Sequence, residues 1–135
     1  SLLEFLRDTL EMKGSKLCCN TGECGACTVI YNGKPINSCV TMAGDAIGAG
    51  VTTIEGLANG DKLHPVEQAF IDTAAVQCGY CTPGYIMSVK ALLDRTTKPT
   101  AEDIEEAVSG NICRCTGYNK IVDAIHLAAE RLQAR

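Results

Sequence analysis

The sequence predicts an α+β protein: a short helix and a small sheet, followed by a set of amphipathic helices. Residues 28–54 hold β-branched runs around an Asn32-Gly33 turn signal, whereas apolar residues recur at helical spacing from Leu63 onward. A further observation ties the halves together. Nine cysteines, at positions 18, 19, 24, 27, 39, 78, 81, 113 and 115, fall into two groups within 135 residues.

The elements follow in order. Leu3, Leu6 and Leu10 recur at i, i+3 and i+7, so residues 2–11 read as a helix, with Phe5 widening its apolar face. A polar, glycine-rich cysteine loop comes next. Thr28–Tyr31 reads as a strand, Asn32-Gly33 as a hairpin turn, and residues 36–40 as the returning strand carrying Cys39. Residues 51–54 form a further β-branched run. So few strands are marginal in water on their own, which leads to the expectation that more strands precede Ser1. Residues 56–63 read as a linker.

Pro65 suits the first position of a helix whose face is Val66, Ala69, Phe70, Thr73 and Ala74. Thr82 is expected to cap a second helix with Ile86, Val89 and Leu93 inside. Pro99-Thr100 opens a third, with Asp103 completing a variant of the capping box and Gly110 as the stop. Ile104, Ala107 and Val108 face inward. Asn119 is expected to cap the fourth, where Ile121, Ile125, Ala128 and Leu132 repeat at helical spacing. Four such helices imply a small bundle. Its turns at 78–81 and 113–115 both carry cysteines, and a bundle can bring them together at one end.

Composition excludes several function classes. The net charge is −4, from 12 basic and 16 acidic residues, and neither half holds a basic patch to meet a phosphate backbone. Tryptophan is absent and aromatics are 4%, too few for a base-stacking platform. No run of 18 apolar residues exists, so no membrane-spanning helix is expected. The sequence assembles no nucleophile, base and oxyanion hole, and no phosphate-binding glycine pattern.

The cysteines carry the chemistry. A secreted disulfide framework predicts an even count, but here the count is odd and several thiols lie within four residues of one another. Short spacings let one loop wrap two thiolates around a metal centre. From Cys19 the first group reads C-x4-C-x2-C-x11-C, the plant-type spacing for a 2Fe-2S centre. Gly22 and Gly25 allow a tight loop whose N–H groups approach the sulfurs. The second group reads C-x2-C-x31-C-x-C. Its Cys78-x2-Cys81 pair could equally serve zinc or a redox dithiol. Cys113-x-Cys115 is narrower than usual zinc pairs, which favours one iron of a binuclear centre. The nine thiols thus divide into four, four and one.

Six stretches carry a family resemblance: GSKLCC at 14–19, CGACTV at 24–29, SC at 38–39, TIEG at 53–56, QCGYCTPG at 77–84 and GNICRCTGY at 110–118. Over essentially its whole length the chain resembles the iron–sulfur (2Fe-2S) small subunit of the molybdenum hydroxylase, or xanthine oxidase and xanthine dehydrogenase, family. The resemblance implies a plant-type ferredoxin-like β-grasp domain at 1–58, lacking its first strands, and a four-helix 2Fe-2S domain at 59–135. It implies that Cys19, Cys24, Cys27 and Cys39 hold one cluster, and Cys78, Cys81, Cys113 and Cys115 the other. Gln77 and Cys115 match positions near the molybdopterin of a large partner subunit.

The implied role is to pass electrons from that centre through both clusters to FAD on a medium subunit, or to another acceptor. The implied substrate, held elsewhere, is a purine, another N-heterocycle or an aldehyde. Cys18 departs from the family pattern, which usually has glycine there, and is expected to be a spare thiol. Two rival readings are a free-standing ferredoxin and a structural module with two four-cysteine zinc sites. A cytoplasmic location is expected, because thiolates and labile clusters suit a reducing compartment. His64 is expected to cap a helix or face solvent, and His126 to pack or lie at the surface. Arg114 reads equally as a solvated charge or as a counter-charge to the thiolates. Tyr80 and Tyr118 are expected to shield the cysteine turns by packing.

Overall fold

The structure, a computed structural model, describes residues 1–134. It begins with α1, Leu2–Glu4, capped reciprocally by Ser1 and Glu4. The helix widens at once into a π turn, Phe5–Thr9, with the Leu10 N–H bonded to the Phe5 carbonyl at 3.1 Å. This wider winding breaks the 3.6-residue register. Leu2, Leu3 and Leu6 stay buried, but Leu10 and Phe5, expected inside, are 49% and 42% exposed.

Three strands form one antiparallel sheet in the order β2-β1-β3: β1 Thr28–Tyr31, β2 Lys34–Asn37 and β3 Val51–Thr52. The register pairs Val29 with Ile36 and Ile30 with Thr52. Asn32 and Gly33 both take positive φ, 46° and 80°, as a two-residue hairpin turn matched to strand twist demands. The returning strand is shorter than expected. It ends at Asn37, and Cys39 sits in a 3-10 turn, Ser38–Val40. Ser38 causes the break by giving both its N–H (3.4 Å) and its hydroxyl (2.7 Å) to the Cys27 carbonyl. The run at 51–54 likewise pairs over two residues before turning at Ile54–Gly56.

Four helices follow: α2 Pro65–Asp72, α3 Thr82–Arg95, α4 Ala101–Val108 and α5 Asn119–Gln133. His64 caps α2, accepting from the Val66 N–H at 3.3 Å, while the Glu67 carboxylate takes the His64 N–H at 2.7 Å. α2 ends where Ala74 turns to φ 55°, so Ala75 rather than Ala74 enters the core. Thr100 and Asp103 form the expected capping box on α4. Two caps differ from expectation. Cys81, not Thr82, holds the cap position of α3, without a side-chain bond. Tyr118 at φ 70°, not Asn119, precedes α5, because the left-handed Gly117-Tyr118 pair swings the chain into that helix.

α3 occupies the centre. Tyr85, Ile86, Val89 and Leu92 pack with Phe70, Ile121 and Ile125 of the flanking helices. Met87 and Ala91 pack against Ile30 of the sheet. Each large side chain fully buried in this way contributes about 1.5–3 kcal/mol. One helix therefore carries a share of both apolar clusters and ties the sheet to the bundle. Among the described residues, no helix is long and apolar enough to cross a membrane.

Candidate metal centre

The first cysteine loop leaves the π turn and runs to β1. It is pinned at its start by Arg7, which donates to the Ser15 carbonyl at 2.6 Å, and by the Gly14 N–H, which donates to Glu55 at 2.6 Å. Asn20, Gly22 and Gly25 take positive φ and curl the loop around Cys19. The N–H groups of Thr21 and Cys24 both reach Cys19 Sγ at 3.4 Å. Hydrogen bonds from the Thr21 side chain, and then from these two N–H groups, lower the Cys19 thiol to about 5. Burial pushes the neighbouring Cys24 up, and its thiol is hydrogen-bonded to that of Cys19.

Cys27 and Cys39 are buried together against Leu3. Burial, then the hydrogen-bonded Cys27 thiol, pushes Cys39 up to about 11. Cys39 also senses the charge of Cys19, so the two pairs adjoin. Asn37 donates to the Gly22 carbonyl at 2.6 Å and closes the loop from the far side. Cys18 is exposed.

The second group forms where two turns of the helical half meet. The turn after α2 presents Cys78 and Cys81, with Gly79 at φ 81°. The turn after α4 presents Cys113, buried, and Cys115, exposed. Burial, then its bond to the Cys113 thiol, pushes Cys81 up to about 12. Cys113 also meets a burial penalty. Its thiol is lowered nonetheless, because Thr116 donates to Sγ through both Oγ1 (3.0 Å) and N–H (3.3 Å). The Cys78 thiol, hydrogen-bonded to Cys115, pushes the latter up. Among the described residues no three Cys, His, Asp or Glu side chains close around a single ion. Within each group the thiols all influence one another: hydrogen bonds link 19 with 24, 27 with 39, 81 with 113 and 78 with 115, and the charges of Cys19, Cys78 and Cys113 act across these links on Cys39, Cys81 and Cys115.

The two groups meet along a seam. The Ile112 N–H donates to the Cys24 carbonyl at 3.0 Å, and Asn111 Nδ2 to the Gly25 carbonyl at 3.1 Å. Farther out, the Tyr80 hydroxyl donates to the Leu17 carbonyl. The backbones touch directly. A Cβ on Gly84 would lie 2.1 Å from the Gly25 oxygen, and one on Gly25 would lie 2.4 Å from both Asn111 Nδ2 and the Gly110 oxygen.

Of the other residues singled out from sequence, Gln77 and Arg114 are exposed. Tyr80, expected to pack, is 46% exposed and acts through its hydroxyl. Tyr118 accepts from the Cys113 N–H at 3.2 Å. His126 lines a groove with Ile104, Ile112, Tyr118 and Val122. Sequence reasoning missed Thr116 and Asn111. The first is signalled by its place one residue after a cysteine; the second has no local signal.

These features place the chain among iron–sulfur proteins, and residues 53–126 match the 2Fe-2S binding domain family, Fer2_2. The chain is 50% identical over 130 residues to the nicotinate dehydrogenase small FeS subunit of Eubacterium barkeri, covering 96% of this chain and 83% of that one. It is 44% identical over 125 residues to the nicotine 6-hydroxylase small subunit of Paenarthrobacter nicotinovorans, covering 93% and 75%. An aldehyde oxidoreductase structure from Desulfovibrio gigas superposes with a TM-score of 0.94 at 43% identity, over 98% of this chain and 15% of that one. The chain belongs to the iron–sulfur small subunits of the molybdenum hydroxylase family.

Proposed function

We propose that this chain is the electron-transfer subunit of a multi-subunit molybdenum hydroxylase and holds two 2Fe-2S clusters. In this reading Cys19, Cys24, Cys27 and Cys39 ligate one, and Cys78, Cys81, Cys113 and Cys115 the other. The match of residues 53–126 to the 2Fe-2S binding domain family carries it, together with the plant-type spacing of Cys19, Cys24, Cys27 and Cys39. Four thiolates in each group suit a binuclear cluster, with two on each iron. The all-thiol donor set, with N–H groups aimed at Cys19 and Cys113, fits an anionic cluster.

When bound, such clusters supply reversible one-electron storage. The chain's own residues set the conditions. Thr21, Cys24 and Thr116 place donors on sulfur, which favours added negative charge. Burial of Cys27, Cys39 and Cys113 keeps water from three of the eight thiols. Residues 1–58 are read as a ferredoxin-like β-grasp domain and 59–135 as a four-helix domain. Gln77 and Cys115, both exposed, are assigned to the face that meets the molybdopterin of a large subunit. The onward acceptor is FAD on a medium subunit, or an equivalent group. The names of the relatives favour an N-heterocycle or an aldehyde as substrate of the whole enzyme. The reducing cytoplasm suits this chemistry.

The test is metal analysis of the natively purified protein. About four irons and four acid-labile sulfides per chain, with molybdenum on a copurifying large chain, are expected. Colourless protein with about two zincs overturns the reading. Iron-loaded chain without a partner or molybdenum makes it a free-standing ferredoxin instead.

A further inference from the structure

We infer that Asn111 is a positioning residue that fixes the two cysteine groups at one separation and orientation, and thereby sets the electronic communication between them. The inference rests on the two-cluster reading above and adds a residue outside both ligand sets.

Asn111 is 6% exposed, and each of its polar groups is engaged. Nδ2 donates to the Gly25 carbonyl, inside the first cysteine loop, at 3.1 Å. Oδ1 accepts from the Ser88 hydroxyl of α3 at 2.8 Å. The backbone carbonyl accepts from the Tyr85 hydroxyl at 2.5 Å, and the N–H donates to the Val108 carbonyl at 2.9 Å. Burying an amide is costly unless both of its ends are bonded, so an apolar residue would fill such a site more simply. What an amide adds is one donor and one acceptor pointing in different directions. Here they join α3 to the first cysteine loop, whose Gly25 lies 86 residues from Asn111 in sequence.

The next residue shows what this join aligns. The Ile112 N–H donates to the Cys24 carbonyl at 3.0 Å, and Ile112 is bonded directly to Cys113. Cys24 and Cys113 belong to different groups, yet one hydrogen bond and one residue connect them. Nothing else fits between, since Gly25 has no room even for a Cβ against Asn111. Electron tunnelling falls steeply with distance and is helped by bonded bridges, so the residue that holds this bridge closed governs the step between the centres. Without Asn111 the Gly25 carbonyl keeps only the Thr28 hydroxyl (2.7 Å) and N–H (3.2 Å), both from its own side of the seam, so the loop recedes and the Ile112–Cys24 bond lengthens.

The experiment uses the natively assembled complex, carrying either Asn111→Asp or Ser88→Ala. The first keeps the shape of Asn111 and an acceptor for Ser88 but deletes the donor to Gly25. The second frees the amide to turn. Iron content, the paramagnetic resonance spectrum of the fully reduced protein, the rate of electron equilibration between centres and the melting temperature are measured. Magnetic interaction between two centres falls with the cube of their separation, so its splitting reports small displacements.

In Asn111→Asp, iron is expected to be unchanged, each centre to keep its own signal, the splitting to shrink and equilibration to slow severalfold. Ser88→Ala is expected to show the same changes to a smaller degree. Full iron with unchanged splitting and rate overturns the inference, even if the melting temperature falls. Should Asn111→Asp lose iron, Ser88→Ala decides by the same criteria. Loss of iron in both makes Asn111 part of a scaffold and overturns it. A wild-type complex without two interacting paramagnetic centres overturns the cluster reading itself.

Discussion

Gly84→Ala sets two principles against each other at one position. Gly84 lies in the first turn of α3, without a positive φ, and alanine there favours the helix by about 1 kcal/mol. Propensity alone therefore predicts a stabilised protein. The added Cβ, however, would stand 2.1 Å from the Gly25 oxygen, 3.0 Å from its carbonyl carbon and 3.1 Å from Ala26 Cα. All three are backbone atoms, so no rotamer relieves the overlap, and the first cysteine loop must move by roughly 1 Å to restore van der Waals separation. Overpacking of this kind costs about 1–3 kcal/mol, and rigid neighbours put it near the upper figure. The net expectation is a loss of about 2 kcal/mol, or a fall of about 8 °C in melting temperature for a chain of this size. Thermal unfolding followed by far-ultraviolet circular dichroism reads it. Gly44→Ala, where a Cβ meets nothing within 4 Å, serves as the control and should change little. A Gly84→Ala protein as stable as wild type, or more so, would refute the claim that the loops touch backbone to backbone.

Four further outcomes are expected. Cys19→Ala lowers iron from about four to about two per chain while Cys18→Ala leaves it unchanged; the opposite pattern in an iron assay would move the ligand to Cys18. Thr116→Val keeps both clusters but shifts the potential of the second one negative by about 60 mV, taking about 1.4 kcal/mol for the lost bond to sulfur, which a redox titration detects. Thr100→Ala removes the α4 cap and costs about 1 kcal/mol in chemical denaturation. Asp103 is held below its usual 3.8 by the Thr100 hydroxyl and then the Thr100 N–H, so its contribution is full above about pH 4 and is lost as pH falls through the lowered value. Asp103→Asn should therefore give a flatter stability curve below pH 4, seen by melting at a series of pH values.

Much of the fold is written locally. The β-branched run at Thr28–Tyr31 and the Asn32-Gly33 turn need no distant partner to be recognised, nor does the Thr100–Asp103 box. The misses have a common physical source, which is competition from outside the window. Leu10 follows helical spacing, but a π turn rotates it outward. Cys39 follows a strand pattern, but the Ser38 bonds to the Cys27 carbonyl, eleven residues back, coil the chain.

Spacing sorted the thiols into groups because short loops constrain their own contents. It could not show that Cys81 lies with Cys113 and Cys78 with Cys115, since that depends on how two separate turns face one another. Asn111 is illegible for the same reason, having its defining partner 86 residues away.

The contact between Gly25 and Gly84 also bears on how this chain can vary. The two positions press on different neighbours: a Cβ on Gly84 would meet the Gly25 oxygen and Ala26, whereas one on Gly25 would meet Asn111 and the Gly110 oxygen. Gly25 adds left-handed strain at φ 69°. Opening one of these contacts makes no room in the other, so each glycine is closed to a side chain for its own reason. Variation along this seam is thus barred at two independent points, 59 positions apart in sequence.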